Sequence, residues 1–160
     1  MWPKSRALRL LALVAGVLPA AVSAAELSSE LPPDVPPARL AEGWERIDGH
    51  ADTRDQRIDY ALYVDPRYQA LYVLTRYRIS RITAGSDGGR VVRRESEKLL
   101  WNSHPGSREP LLAYELDPAT ADRGPRWRTL ATGSDAYREV LMTAIGLYNH
   151  HSRRLSDAAR

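Results

Sequence analysis

The sequence predicts an α+β fold, an antiparallel β-meander of about five to six strands packed against one long C-terminal α-helix. Three observations carry this. The phrase ALYV, two variable residues, then RY occurs twice between residues 61 and 77, and each copy lies in a segment whose apolar side chains alternate as in a half-buried strand. Residues 134–155 instead repeat apolar side chains at helical spacing along one arc. No strand and helix patterns alternate between the two regions, so a run of strands followed by a single helix remains.

The chain opens on MWPKSRALRLLALVAGVLPAAVSAAEL. Lys4, Arg6 and Arg9 precede an apolar run from Leu10 to Leu18, and Val22-Ser23-Ala24 supplies the small residues a signal peptidase needs. Residues 1–24 are therefore read as a secretory signal peptide. The apolar run ends at Pro19, short of the ~20 residues a membrane span requires. No transmembrane segment is expected after cleavage, and the rest of the chain is expected to be exported, either periplasmic or secreted. Residues 25–38 hold four prolines in a polar setting and read as an extended tether. Residues 39–157 read as one globular domain.

The undecided segment 39–50 contains Leu40, Ala41, Trp44 and Ile47 at helical spacing, interrupted by Gly43, and its WERI also suits the start of a strand. Next, Ile58, Tyr60, Leu62 and Val64 form one row while Arg57, Asp59, Ala61 and Tyr63 form the other; residues 70–82 give the rows Leu71, Val73, Thr75, Tyr77, Ile79 and Tyr72, Leu74, Arg76, Arg78, Ser80. Asp65-Pro66 ends the first copy of the phrase, where Leu74-Thr75 lets the second continue. Two copies are too few for a solenoid, so they are expected to pair as a hairpin. That pairing sets Val64 near Leu71, joins the apolar rows on one face, and places Asp59 across from Arg76 or Arg78. AGSDGG at 84–89 is a turn. The following RVVRRESEKLLWN is open between strand and helix over residues 90–97, with a strand expected from Glu97 to Asn102. LLAYEL at 111–116 and RWRTLAT at 126–132 read as further strands. A helix capped by Ser134 or Asp135 then runs through Arg154, with Tyr137, Val140, Leu141, Ala144, Tyr148, His151 and Leu155 on its sheet-facing arc. Gly146 either costs that helix stability or permits a close approach to a strand.

Composition narrows the chemistry. The leader would take three of the 23 basic residues and none of the 20 acidic ones, so the remainder is balanced, and nucleic acid is not an expected partner of a neutral exported chain. Cysteine is absent, which excludes disulfides and thiol chemistry. All cations after residue 24 except Lys98 are arginine, the side chain suited to planar, bidentate contact with carboxylate or phosphate.

Several constellations are candidates for function. In DGHAD at 48–52, an extended backbone would project Asp48, His50 and Asp52 to one side, and carboxylates with an imidazole can hold a divalent cation; His104 would have to supply a further ligand. The glycine and the following TRDQR favour a solvated loop there, and no metal is expected. His150 and His151 diverge too far along a helix to share one ion. Thr132-Gly133-Ser134 could bind an anion at a helix start, but capping accounts for it. GxSxG, phosphate-loop and dinucleotide motifs are absent from the sequence, and no cofactor is expected.

The strongest feature is charge asymmetry: residues 26–65 hold ten acids and four bases, whereas 67–94 hold seven bases and one acid. Tyr72, Arg76 and Arg78 in one strand row, with Arg93 and Arg94 on the next segment, are expected to form an arginine-tyrosine patch for carboxylates, phosphates or a sugar face. The competing reading neutralises these arginines within the molecule. An exported, non-catalytic binding domain for a partner protein or an anionic envelope component is therefore the leading expectation. The alternatives are a small exported hydrolase, with or without a metal, at Asp48, His50 and Asp52, and a ligand carrier with a tyrosine-lined pocket between sheet and helix.

Overall fold

The computed structural model describes Leu27 and residues 31–32, 43–67, 72–118 and 122–160. The signal-peptide reading at 1–24, and the tether reading apart from Leu27, Leu31 and Pro32, lie outside the described residues. Among the described residues seven strands precede one helix: β1 (Glu45–Asp52), β2 (Gln56–Val64), β3 (Tyr72–Ala84), β4 (Arg90–Arg94), β5 (Lys98–Trp101), β6 (Leu112–Asp117), β7 (Arg126–Thr129) and α1 (Asp135–Ala158). They form one sheet in the order β1-β2-β3-β5-β6-β7, with β4 also paired to β3, and every pairing is antiparallel. This is the expected α+β meander, with more strands than anticipated because the two undecided segments, near 45–52 and 90–94, are both extended.

The doubled phrase folds back on itself. Tyr60 faces Tyr77, Ile58 faces Ile79, and Asp59 lies across from Arg78. Between the pairs Tyr77↔Lys98 and Ser80↔Arg94, residues 95–97 oppose only Arg78 and Ile79, a β-bulge that separates β4 from β5 and turns the chain between them.

DGHAD is not a loop. It lies in β1, where Gly49 pairs with Tyr60, and a Cβ at position 49 would come within 2.5 Å of the Tyr60 hydroxyl oxygen and 2.6 Å of ring carbon Cζ. The glycine makes room for a ring rather than for a bend.

Helix α1 starts on Ser134, whose Oγ accepts a hydrogen bond from the Tyr137 N–H at 3.2 Å, while Gly133 takes a left-handed φ of 85° in the preceding turn. It then crosses the sheet. Tyr137 donates its hydroxyl hydrogen to the Leu111 carbonyl at 2.9 Å, Glu139 reaches Lys98 on β5, and Arg154 lies near the Tyr60 hydroxyl, opposing the upward push that burial gives that phenol. Tyr60, Leu62, Tyr77, Ile79, Leu100, Ala113 and Leu130 from the sheet side close on Tyr137, Val140, Ala144 and Leu147.

The last turns differ from expectation. A helix of 24 residues is about 36 Å long at 1.5 Å per residue, while six strands about 4.8 Å apart span about 24 Å. The end of α1 therefore overhangs, and Leu155, expected on the sheet-facing arc, is 58% exposed. Leu147 takes the buried place, and His151 is half-buried.

Gly146 approaches no strand: nothing lies within 4 Å of where its Cβ would sit, and the residue is exposed. Gly146→Ala is accordingly expected to stabilise the fold by up to about 1 kcal/mol, read as a higher urea midpoint with an unchanged slope.

Candidate functional site

The helix closes one sheet face; the other carries the candidate residues. Directly opposed residues of antiparallel strands project to the same side, so the register defines rows across this face. The first is Arg46, Tyr63, Leu74, Trp101, Leu112, and the second Asp48, Ala61, Arg76, Leu99, Tyr114. His50, Asp59 and Arg78 form the third, and Asp52, Arg57, Ser80 and Arg94 the fourth. Rows are roughly 6.8 Å apart, two residues of strand rise. One end of the face is aromatic and the other charged.

The aromatic end has its own small core of Leu74, Leu99 and Tyr114, with Trp44, Tyr63, Trp101, Leu112, Trp127 and Leu31 packed against it. Trp44 and Tyr63 meet edge to face at 6.4 Å, and the Arg46 guanidinium lies 5.7 Å from the Tyr63 ring centre. The Trp44 indole N–H donates to Asp65 Oδ2 at 3.2 Å. Hydrogen bonds from the Arg67 side chain, aided by the Arg67 backbone N–H and by Trp44, lower the Asp65 pKa to about 2 against the opposing effect of desolvation. A carboxylate whose folded pKa lies below its unfolded value stabilises the fold above the unfolded pKa, and this contribution is lost as pH falls through about 2. In melting temperatures recorded from pH 5 down to pH 2, Asp65→Asn is expected to flatten the acid limb.

The charged end is a chain of alternating ions. Arg57 Nε donates to Asp59 Oδ1 at 2.9 Å, and Asp59 faces Arg78 across the hairpin. Arg78 Nη2 lies 3.5 Å from Glu97 Oε2, while Glu97 Oε1 accepts Arg76 Nε at 2.9 Å and Nη2 at 2.6 Å. The Glu97 side chain is fully buried and that of Arg76 nearly so, at 4% exposure. Glu97 enters from the bulged segment between β4 and β5, which aims it at both arginines.

These contacts correct the expected patch. Arg76 does not point at water, because it stands between Leu74 and Arg78 on β3, opposite Leu99, where the apolar cluster and Glu97 enclose it. Arg78 keeps 21% of its side chain exposed. Arg94 is exposed and shares this face with Ser80, whereas Arg93 pairs with Arg81 and projects to the opposite face. The Tyr72 side chain lies outside the described residues, although its backbone pairs with Val64. Thus Arg78 and Arg94 are brought together on one wet face, and Arg76 becomes an internal counter-ion. Sequence reasoning assigned no site role to Arg57, Asp59, Ser80 or Glu97. Stepping back by twos from Trp101 and Leu99 reaches Glu97 and was the available signal, but the bulge that re-aims it leaves no mark in the alternation.

The metal alternative gains no convergence. Asp48, His50 and Asp52 do share a face, yet Arg46 Nε engages both Asp48 oxygens at 3.0 and 3.1 Å, and His50 Nε2 lies 3.5 Å from Asp52. His104 is between β5 and β6, with its Nδ1 at 2.6 Å from Glu109. Among the described residues no group of three histidines or carboxylates is arranged to hold a metal ion. The tyrosines invoked by the carrier alternative, Tyr60, Tyr77 and Tyr137, pack within the core between sheet and helix. No helix among the described residues is long and apolar enough to cross a membrane. Compared with models of protein families, with curated proteins and with solved structures, the chain matches none.

Proposed function

We propose that this chain is an exported, non-catalytic binding domain that holds an oxyanion of an envelope component, carboxylate or phosphate, between Arg78 and Arg94 and above Ser80. One observation carries the reading. Ser80 is 1% exposed, and its Oγ has no hydrogen-bond partner among the described residues. A buried hydroxyl left in that state costs about 1–3 kcal/mol; an oxyanion would reach it only with a shift of the side chains that cover it, and accepting from it would remove that cost.

The electrostatics agree. Arg57, Arg76, Arg78 and Arg94 on this face meet Asp52, Asp59 and Glu97, a surplus of one positive charge, and Arg94 forms no ion pair among the described residues. An anion there would be held by a guanidinium that can offer two parallel donors.

The test is retention of envelope extract by the immobilised domain, with inorganic phosphate as competitor. Arg94→Glu is expected to weaken retention by roughly tenfold to a hundredfold, the range for a lost charge-assisted hydrogen bond, with unfolding unchanged because Arg94 is exposed. Equal retention by both proteins, insensitive to phosphate, would remove the reading.

A further inference from the structure

An open edge of the sheet carries a separate inference, which goes beyond the anion site. Strand β4 pairs with β3 alone, and among the described residues its other side has no partner. The hydrogen bonds at the two ends of this pairing fix which backbone groups are left over. The Gly85 N–H donates to the Gly89 carbonyl at 2.7 Å, and the Glu95 N–H donates to the Ile79 carbonyl at 2.8 Å. Hydrogen-bonded and non-hydrogen-bonded pairs alternate in an antiparallel ladder, so Val91 opposite Thr83 and Arg93 opposite Arg81 bond to β3. Arg90, Val92 and Arg94, opposite Ala84, Ile82 and Ser80, therefore turn their N–H and C=O groups away from it.

The side chains of this edge are equally open. All five β4 residues are exposed, Val91 at 53% and Val92 at 40%, so the described chain leaves the strand uncovered. Arg90, Arg93 and Arg94 form no ion pair among the described residues, because the adjacent acid, Glu95, is engaged by Arg81 and Lys98. The edge therefore presents three uncompensated positive charges around two valines. Charge of this kind guards sheet edges against self-association, and here it selects the occupant. Two copies of β4 paired antiparallel about Val92 would set Arg90 against Arg94, and like charges directly opposite are destabilising. An acidic strand meets the reverse condition.

We infer that the outer edge of β4 is a docking site for an acidic, extended segment of a partner protein, which adds to the sheet as an antiparallel strand. Main-chain hydrogen bonds to Arg90, Val92 and Arg94 supply the attachment, and the alternating side chains supply the selection. Read antiparallel, the complement of RVVRR is Glu-Glu-Val-Val-Glu, whose carboxylates oppose Arg94, Arg93 and Arg90 and whose valines oppose Val92 and Val91. Directly opposed residues project to the same side, so each pair meets on one face of the extended sheet.

The probe is the peptide acetyl-Thr-Glu-Glu-Val-Val-Glu-Thr-amide, raised to millimolar concentration over the full chain, with backbone amide exchange followed by NMR. Exchange at Arg90, Val92 and Arg94 is expected to slow by about tenfold or more, while Val91 and Arg93, already bonded to β3, change little. Val92→Pro removes an outward N–H and no bond to β3, a position where edge strands accept proline, and is expected to abolish the protection at Arg90 and Arg94. Arg90→Glu combined with Arg93→Glu is expected to weaken binding by about tenfold. If the proline variant does not fold, N-methylated peptides decide. A methyl on the first valine, whose N–H faces β4, should prevent binding, and one on the second valine, whose N–H faces away, should be tolerated. No protection of the three amides, or binding indifferent to which valine is methylated, overturns the inference. A chain that self-associates without peptide, with the same three amides protected, and that becomes monomeric as Val92→Pro would assign the edge to a second copy and sink the partner reading. The anion site is tested by Arg94→Glu and by phosphate, neither of which enters here, so either reading can fail alone.

Discussion

Glu97→Ala is expected to destabilise the domain by about 3–5 kcal/mol, the usual loss when one member of a buried ion pair is removed. The reason is geometric. The Glu97 carboxylate, fully buried, faces Arg76 at 2.6 Å and Arg78 at 3.5 Å, so its removal takes a buried negative charge away from the nearly buried Arg76 guanidinium. Stabilities of this size are a large part of a domain's total, and urea unfolding followed by tryptophan fluorescence reads them directly. The diagnostic comparison is Arg76→Met combined with Glu97→Leu. Apolar replacement of both partners of a buried pair is often neutral or stabilising, so the double variant should recover most of the loss. If Glu97→Ala alone leaves the midpoint unchanged, the pair is not buried as described.

Gly49→Ala is expected to cost about 1–3 kcal/mol, the range for overfilling a packed interior. The new methyl would lie 2.5 Å from the Tyr60 hydroxyl oxygen and 2.9 Å from ring carbon Cε2, and Tyr60 is only 2% exposed beneath the helix. The ring has little room to withdraw. Tyr60→Leu should make the alanine tolerable, so the two changes together should cost less than their separate sum, a coupling that a double-mutant cycle on urea midpoints measures. Additive costs would mean that the ring does not lie over the glycine.

The two residues show different kinds of legibility. Period-two alternation in 57–64 and 70–82 determined the hairpin, because a one-residue slip would turn every apolar side chain to the other face; it left Asp59 across from either Arg76 or Arg78, and a register shift between Tyr63 and Val64 goes with the pairing to Arg78. Helical spacing from Tyr137 to Ala144, with Ser134 ahead of it, determined α1 and its cap in the same local way. Gly49 gave a misleading local signal: beside Asp48 and ahead of TRDQR it resembles a turn, and its true reason is a ring on the neighbouring strand. Leu155 was misplaced because a helical wheel contains no information on where the sheet beneath it stops.

Pattern alone therefore determined which segments are extended or helical and which sides of them are apolar, since these depend on backbone period and on side-chain transfer from water, both local properties. Only the tertiary structure decided what the arginines do. The fate of Arg76, Arg78 and Arg94 depends on a bulge at residues 95–97 that swings Glu97 inward, and on the register that sets Arg76 opposite Leu99 and Arg94 opposite Ser80. Burial and pairing of a charge are set by neighbours far apart in sequence, and one extra residue in a strand changes which neighbours those are.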